Sequence, residues 1–479
     1  MEQSAAARRE WAAAARRGLA ARLGLLPRGI PPFTVRTRYP ITDESPSLQA
    51  GVSHYLPNTQ GRRTIYGDGP PAGTALESVL VLGFSTIAGA RLMDFDLDES
   101  QSEFRAAAAG LLDRVADHTV RATRADAPYD VAAWKAMAQA GLLEACLPAD
   151  AGGAGLGAVG LAALLREVGA HVAAVPAFAT LALGAFPIAR HGTPAQQAQL
   201  AAVADGERVL TAAVREPGNL GTPRTIARRH GDGYRLDGVK IAVPYARQAA
   251  VVLVPATVPG AGVGVFLVRP DAEGVSHHAY PTGAMEAASR MGMAAVRVGS
   301  DALLGGLADG VAAADLDRHA AAGAVATVSG VLAGALKLTA AHVKTRQQFG
   351  RVLAEFQAVT MQIADVYVAG RALDAAMWAG CWRLARCDRA NDPDDDTDAV
   401  LAVAAWHAAG PALRALYTCQ HLHGGLGVDV TYPLHRFFAW GTQYARFLGG
   451  EQARLAILGD LVAEDAKRST ALPACPADA

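Results

Sequence analysis

Three short stretches carry side chains whose type and spacing suit chemistry. In "TRQQFGRVLAEFQ" (345–357), Arg346 stands where a long apolar-periodic segment ends and Gly350 follows as a breaker. A guanidinium at such a junction clamps a phosphate through paired hydrogen bonds. On its own it reads first as an arginine placed to favour a helix C-terminus. In "QHLHGGLGVDVTYPLHRF" (420–437), Gly424, Gly425 and Gly427 let a backbone come close to a ligand. His421 and His423 have no further ligand cluster nearby, so they make no zinc site. In "TAAVREPGN" (211–219), Glu216-Pro217-Gly218 marks a turn.

The surrounding pattern says what must hold these groups. The 479 residues are 51% hydrophobic and 19% charged, a globular composition with room for several cores. A formal charge of −1 gives no electrostatic footprint for nucleic acid. Five scattered cysteines without a C-x-x-C pair fit a reducing, cytoplasmic setting and no zinc site. No uninterrupted apolar run reaches the roughly 18 residues of a membrane span.

Residues 1–92 combine an Ala/Arg-rich start with a Pro/Gly-punctuated polar stretch, and read as a poorly ordered extension. The start looks superficially like a transit peptide, but Glu2 and Glu10 weigh against that. Whether the extension is an arm or sequence upstream of a start at Met93 stays open. Residues 93–207 read as helices with apolar positions at three- and four-residue spacing. Asp98-Glu99-Ser100 suits the first cap. Residues 208–305 switch to short apolar runs bounded by Gly and Pro, with a hairpin at Gly231-Asp232-Gly233, so a small β barrel or sandwich is expected. Residues 306–467 are helical again, with a new helix expected near Leu353 and a solvated acidic turn at 388–396. Residues 468–479 form a tail. The predicted class is α+β, mainly α: helices, a small β domain, helices.

These segments, in this order, resemble the acyl-CoA dehydrogenase family from about Met93 to Glu464. "LPADAGGAGLG" (147–157) looks like its Pro-x-x-x-Gly-Gly-x-Gly loop, "REPG" like its Glu-Pro-Gly turn, and R-x-x-F-G and H-G-G-x-G like its flavin signatures. "HGGLGVDVTYPLHRF" is similar to an actinobacterial branch. The resemblance implies a C-terminal four-helix bundle, and FAD between the β domain and the bundle. Arg346 would then contact the FAD pyrophosphate across a subunit interface, with Phe349 and Gln357 flanking the adenine half. Gly424, Gly425 and Gly449 would admit the cofactor, and His421 stands where the family usually has glutamine. The family's flavin-facing Trp-Ile-Thr/Ser strand is matched by "KIAVPYA", which places Ala242 and Pro244 against the ring. The implied partners are an acyl-CoA thioester, an electron-transfer flavoprotein, and sister subunits in a homo- or heterotetramer.

The family removes an α-proton with a glutamate kept at one of two positions. The matching residues here are Leu448 and Ala320, and neither accepts a proton. Glu451 lies three residues past Leu448, and Asp317 three before Ala320; both are candidate substitutes. Some family members are α₂β₂ heterotetramers in which one subunit brings the base, and this chain resembles the base-less subunit. A structural partner subunit and a flavin monooxygenase on the same fold are the other readings. Alanines in "AHVAAVPAFATLALGAF" (170–186) allow a wide pocket for a bulky or branched acyl group, such as a steroid side chain, or reflect a high-alanine composition.

Overall fold

The computed structural model describes residues 97–116, 129–149, 152–386 and 396–470, the last seven by backbone alone. The expected N-terminal extension, the extreme C-terminal tail and most of the acidic turn lie outside them.

The chain opens with helices α1 (Glu99–Val115), α2 (Val131–Gln139), α3 (Leu142–Cys146) and α4 (Gly157–Ala170). Asp98 caps α1 as expected: its carboxylate accepts from Gln101 N at 2.8 Å, and the Gln101 side chain returns a bond to Asp98 N. That reciprocal box satisfies two otherwise orphaned amides. The alanine-rich stretch after α4 is a π-helix over Phe178–Ala185, all eight residues buried. Such i→i+5 segments concentrate at functional sites. Short helices α5 (Phe186–His191), α6 (Pro194–Gln197) and α7 (Leu200–Ala204) complete this part.

The expected β domain is one seven-stranded sheet, made of β1 (Leu210–Ala212), β2 (Ile226–His230), β3 (Gly233–Pro244), β4 (Val251–Val258), β5 (Gly262–Val268), β6 (Val275–Pro281) and β7 (Ala287–Val298). The hydrogen-bonded order is β1-β4-β2-β3-β7-β6, with β5 on β4. β2 and β3 form the hairpin read from Gly-Asp-Gly, and Gly231 takes φ +61° in its turn. Val252, Val254, Phe266, Met291 and Val296 fill the core of the sheet.

Then follow α8 (Val311–Thr345), a two-residue hairpin β8/β9 (Gln347–Gln348 and Arg351–Val352), α9 (Gln357–Arg386), α10 (Thr397–Ala409), α11 (Pro411–His423), α12 (Leu434–Phe447) and α13 (Gly450–Thr470). Helix α9 starts at Gln357, four residues later than expected. The hairpin and a 3₁₀ turn at Leu353–Glu355 take up the chain in between. At 35 residues, α8 runs about 50 Å and is the axis of the core. It meets α4 at very short range: a Cβ on Gly330 would sit 1.7 Å from Arg166 O, and one on Gly169 2.1 Å from Thr327 O. Glycine is therefore obligatory at that crossing. Arg166 also pairs with Asp374 of α9 at 3.2 Å, so the helices before the sheet are tied to the bundle after it.

Two helical stretches, Val311–Thr345 and Thr397–Val428, are long and apolar enough by composition to cross a membrane. Their apolar windows are 67% and 61% buried inside the fold, as core helices are.

Candidate functional site

A cavity of about 920 Å³ lies where the sheet meets α12 and the π-helix. Ala242 and Pro244 line it, so the stretch expected to face a flavin ring does border an open space. Strand β3 is irregular there. Its register with β7 shifts between Lys240 and Val243, and Ala242 and Tyr245 both take φ +50°. A bulge of this kind re-aims side chains beside a site. Ala242 N donates to Tyr280 Oη at 3.1 Å, and Pro244 has no N–H to give.

Phe178 and Ala179 of the π-helix, Gln443, Tyr444 and Phe447 of α12, and Arg215 form the opposite walls. Arg215 Nε donates to Phe447 O at 2.8 Å, and its guanidinium lies 4.8 Å over the Phe447 ring.

Two carboxylates line the cavity, Glu216 and Glu286. Glu216 is saturated. It accepts from Lys240 Nζ at 2.7 Å, Thr225 Oγ1 at 2.6 Å, Thr225 N at 3.0 Å, Arg224 N at 2.6 Å and Asn219 Nδ2 at 3.3 Å. Burial opposes its charge, but these donors hold it down to about 2. The Glu-Pro-Gly glutamate thus anchors its loop to β3.

Glu286 differs. It is 5% exposed and has only neutral donors, Tyr245 Oη at 3.5 Å and Gln443 Nε2. Burial pushes its carboxyl up to about 7, while the two donors pull the other way. Sequence reasoning passed over Glu286. "PTGAMEAASR" (281–290) carries no motif, and the partners lie 41 and 157 residues away.

The expected base positions are sealed. Leu448 is 0% and Ala320 1% exposed, both in the apolar core. Glu451 is held by Arg414 Nη1 at 2.6 Å and does not border the cavity. Asp317 keeps an exposed edge, yet burial raises its carboxyl against the pull of Arg215, Arg454 and Lys240. It too lies off the cavity lining, reaching it only through Arg215. Between α12 and α13, Gly449 takes φ +89° and Gly450 +80°.

The expected phosphate-binding residues gather elsewhere. His342 of α8 and His423 of α11 stack with ring centroids 4.2 Å apart, which brings Arg346 and Gly424 to neighbouring helix ends. Burial, then repulsion from His423, then from Arg346 lower the His342 imidazole below its ordinary value. His423 Nδ1 faces Cys419 O at 2.9 Å and Nε2 faces Tyr432 Oη at 3.2 Å, which assigns the proton to Nδ1. Among the described residues the Arg346 guanidinium makes no ion pair, and it is exposed. Phe349 and Gly350 take φ +53° and +80°, a type I′ turn that leaves the Phe349 ring 93% exposed. Gln357 and His421 are exposed, and a Cβ on Gly424 or Gly425 would meet nothing within 4 Å.

A free guanidinium, an exposed ring, an amide and bare glycine backbone fit a dinucleotide's phosphate and adenine half. The ring half fits less well: β3 offers no hydroxyl or free amide at Ala242 and Pro244.

Residues 98–207 match the model for the acyl-CoA dehydrogenase N-terminal domain, and 311–462 that for the C-terminal domain. The chain belongs to the acyl-CoA dehydrogenase family. It is 40% identical over 327 residues to acyl-CoA dehydrogenase FadE28 of Mycobacterium tuberculosis, covering 68% of this chain and 91% of that protein. FadE27 of the same organism is 31% identical over 386 residues, covering 78% and 99%. Among solved structures, the Tcur3481–Tcur3483 steroid ACAD aligns with TM-score 0.71 and 40% identity, covering 78% of this chain and 100% of that one. The ChsE4–ChsE5 complex from Mycobacterium tuberculosis aligns with TM-score 0.72 and 31% identity, covering 78% and 99%. The family's proteins are flavoprotein oxidoreductases that use FAD.

Proposed function

We propose that this chain is one subunit of a heteromeric, FAD-dependent acyl-CoA dehydrogenase that introduces an α,β double bond into an acyl-CoA. The observation that carries this is the sealing of Leu448 and Ala320 in the core, where the family keeps its glutamate. A sister subunit bearing that glutamate completes the enzyme. Arg346, Phe349, Gln357, Gly424 and Gly425 hold the cofactor's phosphate and adenine half, with His421 at the edge and Gly449 at the turn between α12 and α13. FAD supplies the two-electron acceptor, and an electron-transfer flavoprotein reoxidises it.

Exposed apolar side chains support the assembly. Met361, Tyr367 and Val368 of α9 are 60%, 56% and 63% exposed, and Phe349 of the preceding hairpin is 93% exposed. Apolar area of this kind on a folded chain marks a partner surface. The relatives named as a complex and as a steroid ACAD support a heteromer acting on a bulky acyl group. The cavity volume agrees with that size. Among the described residues three buried free cysteines, Cys146, Cys381 and Cys419, suit the cytoplasm.

The missing ring contacts at Ala242 and Pro244 favour one second reading, a purely structural sister subunit. Co-expression with a glutamate-bearing family member tests both. Native mass spectrometry gives the stoichiometry, and anaerobic titration with acyl-CoAs reads bleaching of the flavin band. A dehydrogenase complex bleaches. A chain that stays monomeric beside its sister, with no bleaching in the mixture, overturns the proposal.

A further inference from the structure

We propose that Glu286 is a second proton-accepting group of the assembled enzyme, placed on this chain to take the α-proton of an acyl-CoA bound in the cavity between β7 and α12. The inference rests on the dehydrogenase reading above and adds a catalytic residue to it.

Three observations meet at this point. First, of the two carboxylates that line the cavity, Glu216 is saturated by five donors including Lys240, whereas Glu286 has two. Second, both donors to Glu286 are neutral. A lysine or arginine in their place would lock the carboxylate ionised; a phenol and an amide support it and still let it take up a proton. Third, α12, which lines the same cavity, carries polar atoms with nothing to bind. Thr442 Oγ1 and Gln443 Oε1 are buried and lack a hydrogen-bond partner among the described residues, and both residues line the cavity. Unpaired buried polar atoms are rare and call for a ligand or an ordered water. Thr442 offers a hydroxyl donor to a thioester carbonyl, whose oxygen gains charge as the α-proton leaves. A base and a carbonyl donor therefore border the same apolar cavity.

The step is balanced. The α C–H bond breaks and its proton joins the Glu286 carboxylate. The electron pair left on the α-carbon moves into the thioester as an enolate, whose oxygen would accept from the Thr442 hydroxyl; FAD, when bound, would supply the acceptor for the β-hydrogen.

The test uses the full chain co-purified with its glutamate-bearing sister, with that sister's family-position glutamate changed to glutamine. The probes are octanoyl-CoA and a steroid-side-chain acyl-CoA, each deuterated at C2. Loss of deuterium to water is followed anaerobically by mass spectrometry. Exchange persists in this complex and falls by roughly 10²–10⁴-fold in Glu286→Gln. Glu286→Asp restores part of it, which separates proton transfer from a packing effect. A second readout needs no cofactor: the carboxylic-acid infrared band of the chain titrates near neutral pH and is absent in Glu286→Gln. Exchange that vanishes once the sister's glutamate is silenced, or that ignores Glu286→Gln, overturns the inference and leaves the dehydrogenase reading standing. No exchange in the complex with every carboxylate intact defeats both.

Discussion

Lys240 Nζ lies 2.7 Å from Glu216 Oε1, and neither side chain exceeds 5% exposure. The pair joins the loop after β1 to the middle of β3, and Lys240 reaches on to Pro255 O of β4 at 2.8 Å. Lys240→Met leaves Glu216 as a buried charge without its counter-ion, which costs about 3–5 kcal/mol. Chemical denaturation at neutral pH measures it. Because the folded carboxyl is held at about 2, the wild-type contribution is complete above the ordinary glutamate range and fades as pH falls toward 2. The variant shows a flatter acid limb.

Glu286 has the opposite dependence. Its folded carboxyl titrates at about 7, above the unfolded value near 4.3. Its contribution is complete below that lower value and is lost as pH rises through 7, a difference on the order of 3 kcal/mol. The groups facing it are Tyr245 at the end of β3, Gln443 and Tyr444 of α12, and Thr282, whose Oγ1 accepts from Glu286 N at 3.1 Å. Urea unfolding at pH 5 and pH 8 should show a drop in wild type that Glu286→Gln removes. An equal drop in both proteins assigns it elsewhere.

Arg346 is exposed at the end of α8, so its loss barely alters folding. Arg346→Ala should weaken FAD retention by the assembled enzyme about 10- to 100-fold, the worth of charge-assisted bonds to a phosphate. Arg346→Lys should recover only part, because an ammonium lacks the planar fork. Equilibrium dialysis of FAD against the purified complex reads both.

Phe349 is a ring presented at φ +53° on a two-residue turn, nearly all of it in solvent. Asparagine accepts that backbone readily. Phe349→Asn should leave the melting temperature of the isolated chain unchanged and raise the dissociation constant of the assembly about 10-fold, the scale of one aromatic anchor. Analytical ultracentrifugation decides it.

The helix–sheet–helix order was legible because each change of period coincides with a change of composition. Arg346 and Gly424 were legible as motifs, and their neighbourhood follows from two helix ends meeting at His342 and His423. The delay of α9 to Gln357 was not legible: Phe349-Gly350 lacks the Asn-Gly or Asp-Gly signature of a type I′ turn. Nor was Glu286. Its burial is set by Tyr245 and Gln443, and local sequence cannot report contacts across 157 residues. The bend at Ala242 was invisible for the same reason, since β7 imposes it through a register shift.

Gly449 and Gly450 turn α12 into α13 with both backbones left-handed. In one of the family's two groups the catalytic glutamate directly precedes Gly-Thr, and the matching residues here are Leu448-Gly449-Gly450. A β-branched residue at φ +80° is a genuine outlier. Restoring glutamate and threonine in the present backbone would bury an acid in the apolar core and force threonine into a conformation it resists. A carboxylate cannot be installed at this corner by side-chain replacement alone: the backbone must be rebuilt before it could serve as a base.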